Sequence, residues 1–468
     1  MRRPDPWLPA AALAVVLAAG FAGCAGRQIT DAPTAAVVRN GGAGLTVPGV
    51  TPDMLQASTW IAADPDARRV RMTAAELERN NAMLLARDPS MHDLSKFADT
   101  LTRDEVAARI RSLSSPVTRT LLDGQGNAIP QATLDALQPT LALDAIPARV
   151  TLQWALLSRR ADLRTFPTRL RVYRDAIGVE QGIDRFQETA LFPGTPVAIL
   201  HGSADGRWKF VVSPRYAAWI DADALAVGER ATVLDFATAP DAVRMLAPHT
   251  RLDATPDAPA VAFDMSTRLP LARDAGANLD VLVPRRDADG RLQIESRSLP
   301  AGTPIARDAL PYTSANLLTQ AFRLLGERYG WGHADGTRDC SGFVSDVYAT
   351  LGVGMPRNTG DQRDTPVFRT RRLVDGNSRE ERLDAVRQAQ VGDLVFIPGH
   401  VMMVIGHRDG LTWVIHDTPG VTYRWQGTVV RLPLAGVSVT PLEPLEYNAT
   451  TDFVDHIQAI QHVVANGK

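Results

Sequence analysis

Cysteine is almost absent from this sequence: Cys24 and Cys340 are its two cysteines among 468 residues. So few thiols exclude the disulfide framework that holds many small exported domains together. Neither sign of charge is in excess, because 50 Lys and Arg residues stand against 52 Asp and Glu residues and the net charge is -2. This balance removes the electrostatic case for nucleic-acid binding.

The long hydrophobic run of the chain lies at its N-terminus. Arg2 and Arg3 precede an apolar stretch over residues 7–23, which ends at Cys24. The length and flanks of this stretch fit a secretory signal segment better than a permanent membrane span. Small residues directly before a cysteine resemble the lipobox of bacterial lipoproteins, in which the cysteine becomes the acylated N-terminus. Plain cleavage nearby and an uncleaved anchor are the alternatives.

The predicted lipobox implies where the protein is located, and it also bears on the role of the second thiol, Cys340. We expect residues 1–24 to be a lipoprotein signal peptide and residues 25–50 a flexible tether. Ala25 after the cysteine resembles the default for outer-membrane sorting in Gram-negative bacteria, which predicts a lipid-anchored periplasmic protein. With Cys24 committed to lipid, Cys340 has no disulfide partner in an oxidising compartment, where a free thiol risks oxidation. Cys340 is therefore predicted to serve chemistry, with a packing role as the alternative.

The middle of the chain predicts three structural units. Residues 51–165 are predicted to be helical, because Thr73 and Thr102 each precede a glutamate by three residues as in a capping box. Residues 166–228 and 229–310 contain short apolar segments of period two that are separated by turn residues. This pattern is typical of small β-barrels. The helical unit contains no cluster of acids, histidines or nucleophiles and is predicted to be structural.

Residues 311–468 combine predicted helices with later strands, which indicates an α+β domain. A helix from Cys340 would place the thiol at a helix N-terminus, where the dipole lowers the thiol pKa. Attack on an amide also requires a base and a group that orients it. His400 starts one predicted strand and His416 ends the next, so antiparallel pairing can bring them together.

Other interpretations of these residues remain open on spacing alone. The downstream histidines His407, His456 and His462 are expected at the surface, the last two in a helix-like final stretch. A strand histidine is also common as a satisfied core or surface residue. A zinc site would require close Cys or His pairs such as CxxC or HxxxH, which the sequence lacks. We expect no metal.

Five ordered motifs in the last 150 or so residues resemble the NlpC/P60-type papain-like cysteine peptidases. The motifs are Tyr329-Gly330-Trp331-Gly332, Asp339-Cys340-Ser341-Gly342-Phe343-Val344, Pro356-Arg357-Asn358-Thr359 with Gln362, Gly392-Asp393-Leu394-Val395-Phe396, and Gly399-His400-Val401. The upstream chain resembles the subgroup with a helical stabilising domain and two bacterial SH3-like domains. The segments that resemble it are Asp205-Gly206-Arg207-Trp208, Tyr216 with Trp219-Ile220, and Arg268-Leu269-Pro270-Leu271.

The resemblance implies hydrolysis of peptidoglycan stem peptides without a metal or organic cofactor. The bond is the link from γ-D-glutamate to a diamino acid, commonly meso-diaminopimelate. By position Cys340 matches the nucleophile, His400 the base and His416 the orienting residue. The predicted substrate-binding positions are Tyr216, Tyr329, Trp331, Asp339, Ser341, Asn358 and Thr359. Tyr329 is a candidate oxyanion-hole donor, with a stacked loop aromatic as the alternative.

Subgroup members look for a free L-alanine amine on the substrate. Asp339 and Ser341 match the residues that hold this amine, and Tyr216 matches one that closes the pocket. Asp184 or Glu188 is a candidate second acid, and the sequence does not choose between them.

Two departures from the family pattern bear on specificity. His333 stands where a second glycine is common and is expected to narrow the cleft. Asn358-Thr359 replaces an acidic residue and a serine, which puts a strict free-amine requirement in question. Intact wall and released peptides both stay open as substrates. The competing functions are a non-catalytic wall-binding lipoprotein and an amidase or acyltransferase activity on the same fold.

Overall fold

The computed structural model describes residues 40–42, 44, 47–275 and 278–465. Cys24, the predicted signal peptide and most of the predicted tether therefore lie outside the described residues. Within the described part of the chain, no helix has the length and apolar composition needed to cross a membrane.

The elements follow one another along the chain from helices to sheets to a mixed C-terminal unit. The helices are α1 (Ala57–Ala63), α2 (Ala74–Arg87), α3 (Arg103–Leu113), α4 (Gln131–Asp135), α5 (Leu137–Thr140), α6 (Ala176–Glu180), α7 (Arg230–Thr238), α8 (Ser314–Arg323), α9 (Cys340–Thr350), α10 (Thr359–Asp364) and α11 (Arg379–Arg387). The strands are β1 (Thr100–Thr102), β2 (Arg149–Thr151), β3 (Gln153–Leu157), β4 (Ala161–Arg164), β5 (Gln187–Leu191), β6 (Pro196–Gly202), β7 (Trp208–Val212), β8 (Ala217–Asp221), β9 (Leu225–Gly228), β10 (Ala242–Met245), β11 (His249–Leu252), β12 (Val261–Asp264), β13 (Arg268–Ala275), β14 (Asn278–Arg286), β15 (Leu292–Ser298), β16 (Ile305–Arg307), β17 (Phe368–Arg372), β18 (Leu394–Ile397), β19 (His400–Arg408), β20 (Leu411–Thr418), β21 (Val421–Trp425), β22 (Thr428–Leu432), β23 (Gly436–Pro441), β24 (Leu445–Glu446) and β25 (Ala459–Ala465).

Helices α2 and α3 begin where local capping chemistry predicts. The side chains of Thr73 and Thr102 each accept a hydrogen bond from the backbone N–H of the glutamate three residues later. The carboxylate of each glutamate accepts a hydrogen bond from the backbone N–H of its threonine. These reciprocal bonds satisfy donors that the first helical turn leaves free. Both predicted capping boxes are therefore present, at α2 and α3.

The N-terminal sheet has the strand order β5-β4-β8-β7-β6-β3-β9. The turn at Asp205-Gly206 joins β6 and β7 as an antiparallel hairpin, as the sequence predicts. Strands β3 and β4 also belong to this sheet, although they fall within residues 51–165, which were predicted to be helical. The four residues 154–157 of β3 are all buried, so the period-two signal of a half-exposed strand is missing there.

The middle sheet has the order β15-β14-β13-β10-β16, and the Asp289-Gly290 turn joins its β14–β15 hairpin. The C-terminal sheet has the order β17-β25-β18-β19-β20-β23, with a small sheet β22-β21-β24 beside it. His462 lies in β25, a strand between β17 and β18, so the expectation of a final helix-like stretch is wrong.

The described residues of the segment 40–50 are packed against the C-terminal unit, whereas the sequence predicts a flexible tether. The Asn40 side chain donates to Val439 O (3.0 Å) and accepts from Val439 N (2.7 Å), as a neighbouring strand would. The Tyr423 hydroxyl donates to Pro48 O at 2.9 Å. This segment therefore packs against the edge of the C-terminal sheet and the adjacent small sheet.

Candidate active site

Cys340 occupies the first position of helix α9, against the C-terminal sheet. Asp339 precedes it as the N-cap, and its carboxylate accepts the N–H of Gly342 at 2.8 Å. The Cys340 side chain is buried, with 6% of the residue exposed. Its Sγ lies 3.7 Å from Thr359 Oγ1. The thiol is thus held at a helix N-terminus, as the sequence predicts.

The thiol pKa differs from the sequence-based prediction. Burial, reinforced by the negative charge of Asp339, raises the pKa of Cys340 to about 12. The expected lowering by the helix dipole is therefore wrong for the free protein, because loss of hydration disfavours the thiolate more strongly. Cys340 is a neutral thiol at rest, and its activation depends on a base that takes the proton during attack.

His400 and His416 lie side by side on the antiparallel strands β19 and β20. His400 Nε2 is 2.8 Å from His416 Nδ1, and the two rings meet edge to face with centroids 5.1 Å apart. His416 Nε2 in turn lies 3.1 Å from the hydroxyl of Thr440, which is fully buried in β23. A chain of two imidazoles and one hydroxyl therefore runs into the core. Thr440 is not part of any motif in the sequence, so only the register of β20 and β23 reveals it.

Both imidazoles are neutral near pH 7. Burial lowers the pKa of His400 to about 4. Burial, with a contribution from His400, lowers the pKa of His416 well below its ordinary value. A neutral imidazole is the form that accepts a proton. His400 is therefore in the protonation state that a general base requires.

A cavity of about 770 Å³ opens beside the thiol. Of the predicted site residues, Cys340, His400, Tyr329 and Trp331 line it. Burial raises the pKa of Tyr329 well above its ordinary value, so its hydroxyl remains protonated and able to donate a hydrogen bond.

Asp339 and Ser341 do not line this cavity, and both bind Arg357. Arg357 Nη2 lies 2.7 Å from Asp339 Oδ2, and Nη1 donates to Ser341 Oγ at 2.8 Å. Burial favours the neutral acid, but the Arg357 charge outweighs it and lowers the pKa of Asp339 to about 2. The carboxylate predicted to receive a substrate amine is therefore already paired with Arg357, a residue that the sequence places in a motif without indicating this partner.

The N-terminal sheet places Tyr216 and Glu188 close to Asn358, outside the cavity that Cys340 lines. The Tyr216 hydroxyl donates to Glu188 Oε2 at 2.5 Å and also interacts with Asn358, the neighbour of Thr359. Glu188 has no cationic partner among the described residues, whereas the alternative candidate Asp184 pairs with Arg164. Glu188 is thus the free carboxylate of this region.

The His333 ring packs against Gly342 of helix α9 and does not line the cavity beside Cys340. Its ring is buried, makes an edge contact with Phe192 and lies 3.2 Å from Thr189 Oγ1. A Cβ at Gly342 would lie 2.6 Å from the His333 ring, so the glycine of the cysteine motif provides the space for it. The expectation that His333 obstructs the cleft is therefore wrong.

Among the described residues, no group of three or more His, Cys, Asp or Glu side chains is arranged to bind a metal ion. The surface histidine His407 is exposed and contacts Ala389 O at 2.7 Å. His456 stacks on Tyr447. Neither His407 nor His456 lines the cavity that Cys340 and His400 share.

Comparison with known proteins matches two segments of the chain to family models. Residues 326–430 match the model of the NlpC/P60 family, and residues 171–221 match an SH3 domain of the SH3b1 type. Proteins described as probable endopeptidase p60 from Listeria welshimeri and Listeria innocua are 34% and 33% identical over 97 residues, or 19% of this chain. The chain covers 16% and 18% of the length of these relatives.

A solved structure shares the wider fold. The structure described as a novel NlpC/P60 endopeptidase from Photobacterium damselae subsp. piscicida superposes with a TM-score of 0.67 and 16% identity. The likeness covers 82% of this chain and 90% of that chain, so it extends beyond the C-terminal unit to the preceding sheets. The helix and strands that bear the sequence motifs lie in the segment that the family model matches. This chain therefore carries an NlpC/P60-family domain at residues 326–430, preceded by an SH3 domain at residues 171–221.

Proposed function

We propose that this protein is a cysteine peptidase that hydrolyses the bond from γ-D-glutamate to a diamino acid in peptidoglycan stem peptides. Cys340 is the nucleophile, His400 the base and His416 the residue that orients it. The observation that carries the proposal is the 2.8 Å contact of His400 with His416 at the cavity that Cys340 also lines. The family of the domain supports the same chemistry.

The reaction follows from the neutral resting state. As Cys340 Sγ attacks the γ-carbonyl carbon, His400 takes the thiol proton and the carbonyl oxygen becomes an oxyanion. The protonated Tyr329 hydroxyl at the cavity wall is the candidate donor to this oxygen. His400 then gives its proton to the leaving amine, and a thioester remains. Water, deprotonated by His400, hydrolyses the thioester and restores the thiol.

Glu188 supports a preference for substrates with a free N-terminal amine. A carboxylate that accepts hydrogen bonds from hydroxyl groups and lacks a cation is suited to bind an ammonium group. Because Asp339 is paired with Arg357, we assign this role to Glu188, with Tyr216 and Asn358 beside it. The SH3-type domain then forms a wall of the substrate pocket, which favours released peptides over intact wall.

We further propose that Cys24 is acylated and anchors the protein in the periplasm at the outer membrane of a Gram-negative bacterium. The support is the short basic start, the apolar run and the small residues before Cys24. Radiolabelled palmitate incorporation into the wild-type chain, and its loss in Cys24→Ala, would test this part separately.

Mass spectrometry of reaction products tests the activity. The purified chain is incubated with L-Ala-γ-D-Glu-meso-diaminopimelate in one sample and with intact sacculi in another. We expect L-Ala-D-Glu and free diaminopimelate from the tripeptide, with little release from sacculi. Absence of cleavage in both samples would favour the non-catalytic wall-binding alternative. The presence of both Cys340 and His400 in the sequence argues against that alternative.

A further inference from the structure

Residues 40–42 of the predicted tether, here called the edge segment, lie along β23, which ends the strand order of the C-terminal sheet. The buried side chain of Asn40 forms two hydrogen bonds with the backbone of Val439, one to the carbonyl and one from the N–H. Gly41 N donates to Val437 O at 3.1 Å. The outermost strand of a sheet leaves the backbone groups on its outer side without a strand partner. The edge segment therefore takes the place of a neighbouring strand.

The glycines of the edge segment permit close contact between backbones. Gly41 has a φ of +77°, and a Cβ there would lie 2.6 Å from Leu434 O. A Cβ at Gly42 would collide with Ala435 O and lie 3.1 Å from Arg328 Cα. A position that has no space for a side chain requires glycine. These glycines, in a sequence that is also typical of flexible linkers, are therefore needed for docking on β23.

Strand β23 also carries the last group of the hydrogen-bond chain that starts at His400. Thr440 directly follows Val439, and its hydroxyl lies 3.1 Å from His416 Nε2. Asn40 binds both backbone polar groups of Val439. Loss of these two bonds would release the backbone directly before Thr440. The position of the Thr440 hydroxyl therefore depends on the edge segment.

The same strand holds the segment that leads to Tyr329, the candidate oxyanion donor. Tyr329 N donates to Ala435 O at 2.9 Å. Val437 O accepts hydrogen bonds from Gly326 N at 2.9 Å and from Gly41 N at 3.1 Å. The edge segment and the segment before Tyr329 therefore meet at one carbonyl of β23. Through this strand the edge segment contacts the supports of both the relay and the oxyanion donor.

We infer that the edge segment sustains catalysis, with Asn40 as a positioning residue for the contact between Thr440 and His416, and this inference rests on the function proposed above. Asn40 acts through Val439 and does not line the cavity beside the thiol. The chain between the predicted lipid anchor at Cys24 and the peptidase unit is then more than a spacer, because full activity requires its docking on β23. The alternative is an edge segment that only shields β23 from pairing with other strands.

Asn40→Ala removes both hydrogen bonds to Val439 and leaves the proposed site residues unchanged. For L-Ala-γ-D-Glu-meso-diaminopimelate, we expect kcat to fall at least about fivefold while KM changes by less than about twofold. The acid limb of the pH profile should move from about 4 towards the ordinary histidine value of about 6.5, because a loosened relay admits water to His400. Gly42→Ala displaces the edge segment through a different contact and should cause the same two changes.

Asn81→Ala is the matched control. The Asn81 side chain donates to Gly352 O at 2.8 Å and accepts from Gly354 N at 2.8 Å, beyond the end of helix α9 that is opposite to the thiol. Both alanine variants thus lose two bonds to backbone groups, and both should unfold at a lower temperature than the wild-type chain. We expect kcat and the acid limb to change in Asn40→Ala and to stay unchanged in Asn81→Ala.

Equal kcat values and equal pH profiles in Asn40→Ala and the wild-type chain would overturn the inference and leave the peptidase activity standing. A similar loss of kcat in Asn81→Ala would assign the effect to general stability and would overturn it as well. Either result would favour the shielding role of the edge segment.

If the wild-type chain does not cleave the tripeptide, the proposed function fails and nuclear magnetic resonance tests the inference instead. With isotope-labelled histidine, the ring nitrogen signals report which nitrogen of His400 and of His416 carries the proton. We expect these signals to change in Asn40→Ala and to match those of the wild-type chain in Asn81→Ala. Unchanged signals in Asn40→Ala would contradict a positioning role for Asn40.

Discussion

His400 Nε2 lies 2.8 Å from His416 Nδ1, and this contact leaves Nδ1 of His400 as the nitrogen that can take a proton from the thiol. Nδ1 is a free acceptor only when the proton of His400 is on Nε2 and is donated to His416. His416 must then hold its own proton on Nε2, where the Thr440 hydroxyl is available to accept it at 3.1 Å. In this pair of tautomers the Thr440 hydroxyl is the acceptor at the buried end of the hydrogen-bond chain.

Replacing Thr440 with valine tests this assignment. Valine removes the acceptor for His416 Nε2–H, so the opposite tautomers become more stable and His400 Nδ1 carries a proton. We expect kcat for the tripeptide to fall at least about tenfold with little change in KM. Thr440→Ser keeps the hydroxyl and should restore most of the rate. Equal kcat values in Thr440→Val and the wild-type chain would show that the hydroxyl does not set the tautomer.

The pH profile of kcat/KM should have an unusually acidic lower limb. His400 must be neutral to accept the thiol proton, and burial lowers its pKa to about 4. Activity is therefore retained at pH 6 and lost as the pH falls through about 4, whereas an ordinary histidine would titrate at about 6.5. Initial rates from pH 3 to pH 8 measure this, with aliquots returned to pH 7 to exclude denaturation. A midpoint near 6.5 would contradict the buried, neutral His400.

Glu188→Gln should weaken selection for a free N-terminal amine. The amide keeps the shape of the side chain and removes the charge that attracts an ammonium group. We expect KM for the tripeptide to rise about tenfold, and the preference over an N-acetylated tripeptide to decline by the same factor. Competition between the two peptides in one reaction gives this preference directly. Asp184→Asn is an unsuitable control because Asp184 pairs with Arg164. Glu78→Gln makes the same change of charge at an exposed residue outside the cavity.

His249 should make stability depend on pH above neutrality. Its Nδ1 lies 2.9 Å from Asp264 and its Nε2 3.5 Å from Glu327, and these partners raise the pKa of His249 to about 9. A raised histidine pKa stabilises the folded state fully below the unfolded pKa of about 6.5. The stabilisation is lost as the pH rises through about 9. Thermal unfolding between pH 6.5 and 9.5 should show this decline, and His249→Gln should reduce it. Identical slopes would rule the contribution out.

Local signals in the sequence predicted much of the fold. The capping boxes at Thr73 and Thr102 depend on residues three apart, so they can be read without knowing the fold. The hairpin at Asp205-Gly206 follows from turn chemistry in the same way. Strand β3 escaped prediction because residues 154–157 are all buried, which removes the alternation of apolar and polar residues. In β25 residues 459–461 are buried in succession, which interrupts the alternation in the same way.

The site was predictable to the extent that motifs and strand spacing determine it. His400 and His416 lie at neighbouring ends of successive strands, so antiparallel pairing was enough to bring them together. The Arg357–Asp339 ion pair, the Thr440 hydroxyl and the free Glu188 depend on contacts between segments far apart in the chain. The thiol pKa was also mispredicted, because the degree of burial that opposes the helix dipole is a property of the folded protein.

The central claim is that the Cys340 thiol attacks the γ-glutamyl carbonyl. The most direct measurement follows free diaminopimelate released from L-Ala-γ-D-Glu-meso-diaminopimelate by mass spectrometry, for the wild-type chain and for Cys340→Ala at equal folded concentration. Because alanine has no nucleophile and the buried side chain changes by one sulfur atom, the account predicts a folded variant without detectable release. Release by Cys340→Ala at a rate near that of the wild-type chain would contradict it.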